Sequence, residues 1–290
     1  MNLFGRAAVR LVRASIVVDR GQRLFDRVRS TLVARFATDE FLEAYNDLAY
    51  RTHADYVADS GRFRTELFHW EEEMAARNFP PPPCRLLIGG AGGGREVYAW
   101  ASRGYEVVGF EPSPALARSI AREAARYPGT QAWIGRYEDL PRLTALDGQS
   151  TVDVATLGPF AAVVLGWPTY SHIRHRAVRV ATLARLGALT DGPVAISFFL
   201  DKQRDTRPQG RLQRLSRRLG LSRPGDTFSP HIGFHHWSTE EEIGAEIREA
   251  GLEIVDASYD DRDGRWPWVV GTRRTQEHKG DKRHKEHKEH

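Results

Sequence analysis

From residue 84 onward, short apolar runs alternate with stretches whose apolar positions recur every three to four residues. The runs at 85–89, 106–111, 131–134, 161–166 and 193–199 have strand length and are rich in aliphatic and aromatic residues. The stretches at 95–103, 114–126 and 172–186 have the period of amphipathic helices. Such alternation predicts a parallel sheet covered on both faces. The pattern then changes. A helix over 239–250, capped by Ser238, leads to strands at 252–259 and 268–272. The polar link Asp260-Asp261-Arg262-Asp263-Gly264 predicts that these two strands pair antiparallel. The expected fold is α/β: a seven-stranded, mostly parallel sheet closed by an antiparallel hairpin, preceded by a helical region.

Upstream, Phe4, Ala8, Leu11 and Val18 recur at helical spacing, and Phe25, Val28, Leu32 and Phe36 do so again after Gly21. Arginines fill the other face. Residues 1–36 therefore read as a basic amphipathic arm. A pair of helices packed on the body or on a partner is the leading reading; a membrane-surface helix and an Arg-rich transit segment stay open. An uninterrupted apolar secretory segment is missing. Residues 37–83 read as a helical cap, with Thr38 or Asp39 starting its first helix and Pro80-Pro81-Pro82-Pro83 as a stiff linker. The main domain is then 84–275, with an insertion at 202–237. A Lys-, His- and Glu-rich tail, 276–290, lacks apolar periodicity and is expected to be disordered.

Composition narrows the classes. The chain has 290 residues, 41% hydrophobic and 28% charged, which excludes a wholly disordered, collagen-like or coiled-coil protein. No apolar run approaches the ~20 residues of a membrane span. The single cysteine, Cys84, excludes an internal disulfide and a multi-thiolate zinc cage, and points to a reducing compartment, the cytoplasm. The net charge of +4 hides a segregation. Residues 1–36 carry +6, 202–224 carry +7 and the tail +1, which leaves −10 for the rest. A nucleic-acid reading would rest on the appendages alone, and is disfavoured.

The densest chemical signal is Gly89-Gly90-Ala91-Gly92-Gly93-Gly94-Arg95, between a predicted strand and a predicted helix. Glycines there let the backbone turn tightly and approach a ligand, and the helix start offers free N–H groups. Gly-x-Gly-x-Gly at Gly90, Gly92 and Gly94 does not fit the dinucleotide spacing, and no Gly-Lys-Ser/Thr makes it a P-loop. Glu111 follows at the tip of the next strand, before Pro112. A carboxylate at that place can accept both hydroxyls of a ribose.

With these residues the chain resembles the class I S-adenosylmethionine-dependent methyltransferases over roughly residues 85–274. Gly90, Ala91, Gly92 and Gly94 match their glycine motif, and Glu111 their ribose-binding acid. Tyr137-Glu138-Asp139 looks like the segment that borders adenine, and 160–167, ending in Gly166 and Trp167, like the strand whose end faces the methyl group. The resemblance implies a Rossmann-like fold, S-adenosyl-L-methionine as cofactor and a small-molecule methyl acceptor. Two positions depart from the family pattern: Ile88 stands where an acid is common, and Arg136 where an adenine-edge Asp is common.

The acceptor side is less legible. Gly166-Trp167-Pro168-Thr169-Tyr170-Ser171-His172 is not the Asn/Asp-Pro-Pro-Tyr/Phe motif of enzymes that methylate planar amines. Trp167 and Tyr170 are candidate walls of an acceptor pocket, and His172 is a candidate base. His235 and His236, in the insertion, are candidate acceptor contacts. With His231 they lack the ligand spacing of a zinc site, so no metal is expected. Tyr45, Tyr50 and Tyr56 are candidate lid residues. A nucleic-acid methyltransferase, an NAD(P)-dependent oxidoreductase and a binding protein without turnover remain as alternatives.

Overall fold

The computed structural model describes residues 3–56, 65–204, 211–220 and 223–274. The expected disordered tail and part of the insertion lie outside these. The chain begins with helices α1 (Leu3–Phe36), α2 (Asp39–Thr52) and α3 (His69–Asn78), with a 3-10 turn at Ala54–Tyr56. The sheet region runs β1 (Arg85–Gly89), α4 (Arg95–Ala101), β2 (Glu106–Glu111), α5 (Pro114–Ala124), β3 (Gln131–Ile134), β4 (Arg142–Thr144), β5 (Thr151–Asp153), β6 (Ala162–Leu165), α6 (Arg176–Ala188) and β7 (Val194–Ser197). β8 (Phe199–Leu200) follows, and the insertion then supplies α7 (Arg211–Arg218), β9 (Asp226–Ser229) and β10 (Gly233–Ser238). The chain closes with α8 (Glu240–Glu249), β11 (Leu252–Ser258) and β12 (Trp268–Arg273).

The main sheet has the order β11-β12-β7-β6-β1-β2-β3-β4-β5. Strands β7, β6, β1, β2 and β3 are parallel, and β12 pairs antiparallel with both β7 and β11. The sheet therefore has nine strands, not seven. The two extra ones, β4 and β5, are three-residue edge strands, too short to leave a period in the sequence. Alternate residues of one strand supply opposite faces. Leu87, Val108 and Val163 pack with Leu183, Leu186, Ile243 and Ile247 of α6 and α8. Their neighbours Leu86, Ile88 and Val107 pack with Val97, Trp100 and Ile120 of α4 and α5. Ile88 is thus wholly interior, which accounts for an apolar residue at that position.

Caps place the helices. Ser113 accepts from Leu116 N with Pro114 in the first turn, and Thr38 accepts from Phe41 N. In α8 the cap is Thr239, one residue after the expected Ser238, and Glu242 completes a capping box. α1 is a single helix that runs through Gly21 rather than a pair. The insertion's β9 and β10 join β8 in a second sheet, β8-β10-β9, against which the end of α1 packs. Ser30 Oγ bonds Thr227 Oγ1 at 2.8 Å, and Ala34, Leu42, Phe228 and Phe234 form a small core there. Among the described residues no helix is long and apolar enough to cross a membrane.

Tyr170 does not form a pocket wall. Its side chain is fully buried, and its hydroxyl donates to Glu246. Glu246 also receives Arg179 through Nη2 at 2.6 Å and Nε at 3.0 Å. An Arg–Glu–Tyr triad therefore ties α6, α8 and the turn after β6 together inside the core. Removing Glu246 leaves the Arg179 charge buried without compensation, and removing the Tyr170 hydroxyl takes one donor from Glu246. Glu246→Ala should cost about 3–5 kcal/mol in urea unfolding, and Tyr170→Phe about 1–3 kcal/mol. An Ala variant as stable as the wild type would contradict this role.

Candidate active site

The sheet order reverses between β1 and β6: from β1 the chain moves to β2 and β3, from β6 to β7. Ligands of open α/β sheets bind in the crevice at such a point, beyond the carboxyl ends of the strands. Three loops meet there. Gly90–Gly94 leaves β1, Glu111 ends β2, and Gly166-Trp167 follows β6. They border a cavity of about 1030 Å³.

Gly90, Gly92 and Gly94 all have positive φ, 65°, 53° and 95°. A Cβ on Gly90 would fall 2.1 Å from Tyr137 Oη and 2.3 Å from a Thr169 methyl. A Cβ on Gly92 would meet the Tyr56 ring at 3.0 Å. The loop is therefore glycine both for its backbone conformation and for the closeness of what covers it. Gly92 N donates to Glu111 Oε2 at 2.9 Å, and Ser113 N to Oε1 at 3.1 Å. Burial pushes the Glu111 carboxyl up to about 7 against these two bonds, with Asp47 and Glu96 adding to the rise.

Beneath the loop lies an ionic cluster that sequence reading did not assemble. Arg95 makes two 2.6 Å bonds to Glu71 and one of 2.8 Å to Glu96. Its guanidinium lies 4.1 Å from the centre of the Phe68 ring. Glu96 Oε1 also accepts Trp167 N at 2.9 Å, which pins the loop after β6 to α4. Burial, with Glu96 beside it, raises Glu71 to about 7 even with Arg95 attached. The only sequence hints were the acidic run after Trp70 and the Arg-Glu pair closing the glycine loop.

α2 forms the roof. Asp47 accepts from Ser113 Oγ, Glu43 pairs with Arg136, and Arg174 bonds Asp39 at 2.6 Å. Arg136 is thus used to hold the roof, and Glu138 and Asp139, in the segment expected to border adenine, are both on the cavity wall. Tyr50 and Tyr56 face the cavity, ring centres 5.0 Å apart. Tyr45 lies outside it, bonded to Pro230 O.

His172 lines the cavity from below Tyr50. Its Nδ1 is 2.7 Å from Phe234 O, a carbonyl that only accepts, so Nδ1 carries the proton. Nε2 is then the acceptor of the Tyr50 hydroxyl at 2.7 Å. Burial pushes the imidazole down to about 4, which keeps it neutral at physiological pH.

Of the other expected site residues, Pro112, Tyr137, Glu138 and Trp167 are on the cavity wall with Gly90, Gly92 and Glu111. Ala91 and Gly94 shape the loop from within: Ala91 is buried and Gly94 caps α4. Gly166 packs against Gly90 O, where a Cβ would approach to 2.9 Å. His235 and His236 do not reach the cavity. His235 stacks in a cluster with Phe199, ring centres 5.0 Å apart. His236 bonds Asp226 at 2.8 Å and lies 3.5 Å from Glu242, a strut between β9, β10 and α8. Adjacent on β10, the two side chains leave on opposite faces, His235 against Phe199 and His236 against Asp226 and Glu242, and the strand reaches His172 through the Phe234 carbonyl. Among the described residues no group of three His, Cys, Asp or Glu is arranged to hold a metal.

No protein-family model matches the sequence, and no curated protein matches it. Solved structures do. The 1,6-didemethyltoxoflavin-N1-methyltransferase of Burkholderia thailandensis, determined with 1,6-didemethyltoxoflavin and S-adenosylhomocysteine, is 17% identical. It superposes with a TM-score of 0.52 over 81% of this chain and 89% of its own. A SAM-dependent methyltransferase of Methanosarcina mazei is 17% identical over 72% of this chain and 98% of its own, with a TM-score of 0.49. The magnesium protoporphyrin IX methyltransferase of Synechocystis is 15% identical over 93% of this chain and 100% of its own, with a TM-score of 0.45. The fold is that of the class I S-adenosylmethionine-dependent methyltransferases.

Glu111 gives the ligand-free protein a distinctive pH dependence. It holds its proton up to about 7 in the fold, against an ordinary value of 4.5. The stability linked to that proton is full below the ordinary value and is lost as pH rises through about 7. Glu111→Gln removes this loss. In thermal melts the variant should exceed the wild type above about pH 8, and the gap should narrow toward about pH 5. A residual slope from Glu71 remains in both. Parallel profiles for the two proteins would contradict the assignment.

Proposed function

We propose that this chain is an S-adenosylmethionine-dependent methyltransferase acting on an oxygen or nitrogen of a small-molecule acceptor, in the cytoplasm. The observation that carries the reading is the glycine loop of positive φ facing the buried Glu111 carboxylate, in a cavity that also holds a neutral His–Tyr pair. The residues fit the cofactor. Gly90 and Gly92 present bare backbone to the cavity, Glu111 would accept the two ribose hydroxyls, and Pro112, Tyr137 and Glu138 would border the adenine. Bound there, S-adenosylmethionine supplies an electrophilic methyl group on a sulfonium. Glu40, Glu43, Asp47, Glu111, Glu138 and Asp139 outnumber Arg136 and Arg142 around the cavity. That lining favours a cationic cofactor and opposes a polyanionic acceptor or a pyrophosphate, which supports a small molecule over nucleic acid and over a dinucleotide.

Positioning supplies most of the rate in a displacement of this kind, and a base assists where the acceptor must lose a proton. Tyr50 and His172 form a relay for it. Tyr50 Oη takes the proton of an acceptor O–H or N–H while passing its own to His172 Nε2. The imidazolium so formed keeps its Nδ1–H on Phe234 O. Because Tyr50 sits on the roof helix, the relay is complete only when the roof is seated.

Two measurements test the reading. In calorimetry, S-adenosylhomocysteine should bind and NADH and NADPH should not; the reverse would overturn it. Against a panel of small phenols and amines, Tyr50→Phe and His172→Ala should each lower kcat by about 10²-fold with S-adenosylhomocysteine affinity unchanged. Tight cofactor binding with no turnover of any acceptor would favour a binding protein instead.

A further inference from the structure

α1 carries its largest apolar side chains on the side away from the protein. At 100° per residue, Val18, Phe25, Val28, Leu32 and Phe36 fall within an arc of about 80°. All five are exposed, Val18 at 69% and Phe25 at 61%. The helix meets the body through the opposite side, where Ser30 bonds Thr227 and Ala34 is buried. The inward side carries Ser30, Val33 and Ala34, while the larger apolar side chains face out, the inverse of a surface helix that packs by its apolar stripe. Residues 17–25 are exposed all round and receive little support from the fold.

The charges are arranged to match. Arg29 and Arg35 border the apolar arc, and Arg20, Arg23 and Arg27 fill the rest of the circumference. α7 and the residue after it repeat the arrangement: Leu215 and Leu219 are exposed one turn apart, beside Arg214, Arg217 and Arg218. The fold joins the two helices at their C-terminal ends, where Arg35 Nε donates to Gly220 O at 2.7 Å. The segments that carry +6 and +7 in the sequence thus adjoin, while the remainder of the chain is acidic.

We propose that α1 and α7 together form a docking surface for an anionic lipid bilayer, with α1 lying in the plane of the headgroups. An apolar arc flanked by arginines buries its side chains at the acyl boundary and pairs its cations with lipid phosphates. A second copy of the chain is a poor occupant, because face-to-face pairing would bring two +6 helices together. Nucleic acid would use the arginines and leave five large apolar side chains in water. Only Ala37 and Thr38 separate α1 from the roof helix α2, so docking sets the roof of the cavity beside the lipid.

The test is flotation of the full chain with vesicles of phosphatidylcholine alone and of phosphatidylcholine mixed with phosphatidylglycerol. Binding should require phosphatidylglycerol and weaken with salt. A Val18→Ser, Phe25→Ser, Leu32→Ser variant should bind the mixed vesicles at least about tenfold more weakly. Arg20→Glu, Arg23→Glu, Arg27→Glu should bind them more weakly at low salt, with the deficit shrinking as salt rises. Both variants should keep the wild-type circular dichroism and S-adenosylhomocysteine affinity, since these residues touch neither core nor cavity. The proposal is overturned if the protein ignores mixed vesicles, if the serine variant binds them as well as wild type, if duplex DNA is bound in preference to lipid, or if light scattering shows a dimer that the serine variant dissolves while vesicles are not bound.

Discussion

A carboxylate sealed inside a protein is costly unless backbone donors or a cation hold it. Among the described residues Glu111 is held by the amides of Gly92 and Ser113, and the site is built around that arrangement. The Gly92 amide can turn toward Glu111 because the loop passes through positive φ at Gly90, Gly92 and Gly94. Ser113, which supplies the second amide, also caps α5 and bonds Asp47 of the roof. Three elements therefore converge on one side chain at the tip of β2.

The same economy of parts joins the roof to the chemistry. α2 reaches the second sheet, the β3–β4 connection and the turn after β6 through separate side chains. Its Tyr50 ends on His172, whose other nitrogen is fixed by a carbonyl of β10. The insertion thus contributes to the site through backbone. Below, Arg95 is shared between two buried acids, one of which also fixes the loop after β6. The acidic character of the cavity floor and walls follows from these positions and not from overall composition, which is weakly basic.

The parallel core was legible because its strands are continuous apolar runs with glycine or polar breaks, and the Gly90–Gly94 loop and Glu111 were legible because their types and spacing are forced by local backbone geometry. β4 and β5 were not, being short and polar. Tyr170 looked like a site residue because it follows the strand that ends at the site, and His235 and His236 because they lie in a strand-end insertion, a place that commonly covers the crevice. The turn after β6 carries Tyr170 to the core side, toward Glu246 and Arg179, and the pleat of β10 splits the histidines, His235 onto Phe199 and His236 onto Asp226 and Glu242. Conversely, the Glu71–Arg95–Glu96 cluster joins residues from α3 and α4 that have no shared sequence pattern. The amphipathic arc of α1 was legible, but its direction was not: periodicity reports that a helix has an apolar face and says nothing of whether that face is covered.

The central claim is that ionised Glu111 receives the cofactor's ribose hydroxyls. The most direct measurement is the pH dependence of S-adenosylhomocysteine affinity by calorimetry, in wild type and Glu111→Gln. Since Glu111 keeps its proton up to about 7 in the ligand-free fold, affinity should rise with pH through that value and level off above it. The glutamine variant should bind much more weakly, with no inflection. Affinity that is flat across this range in wild type, or equal in the two proteins, would contradict the account.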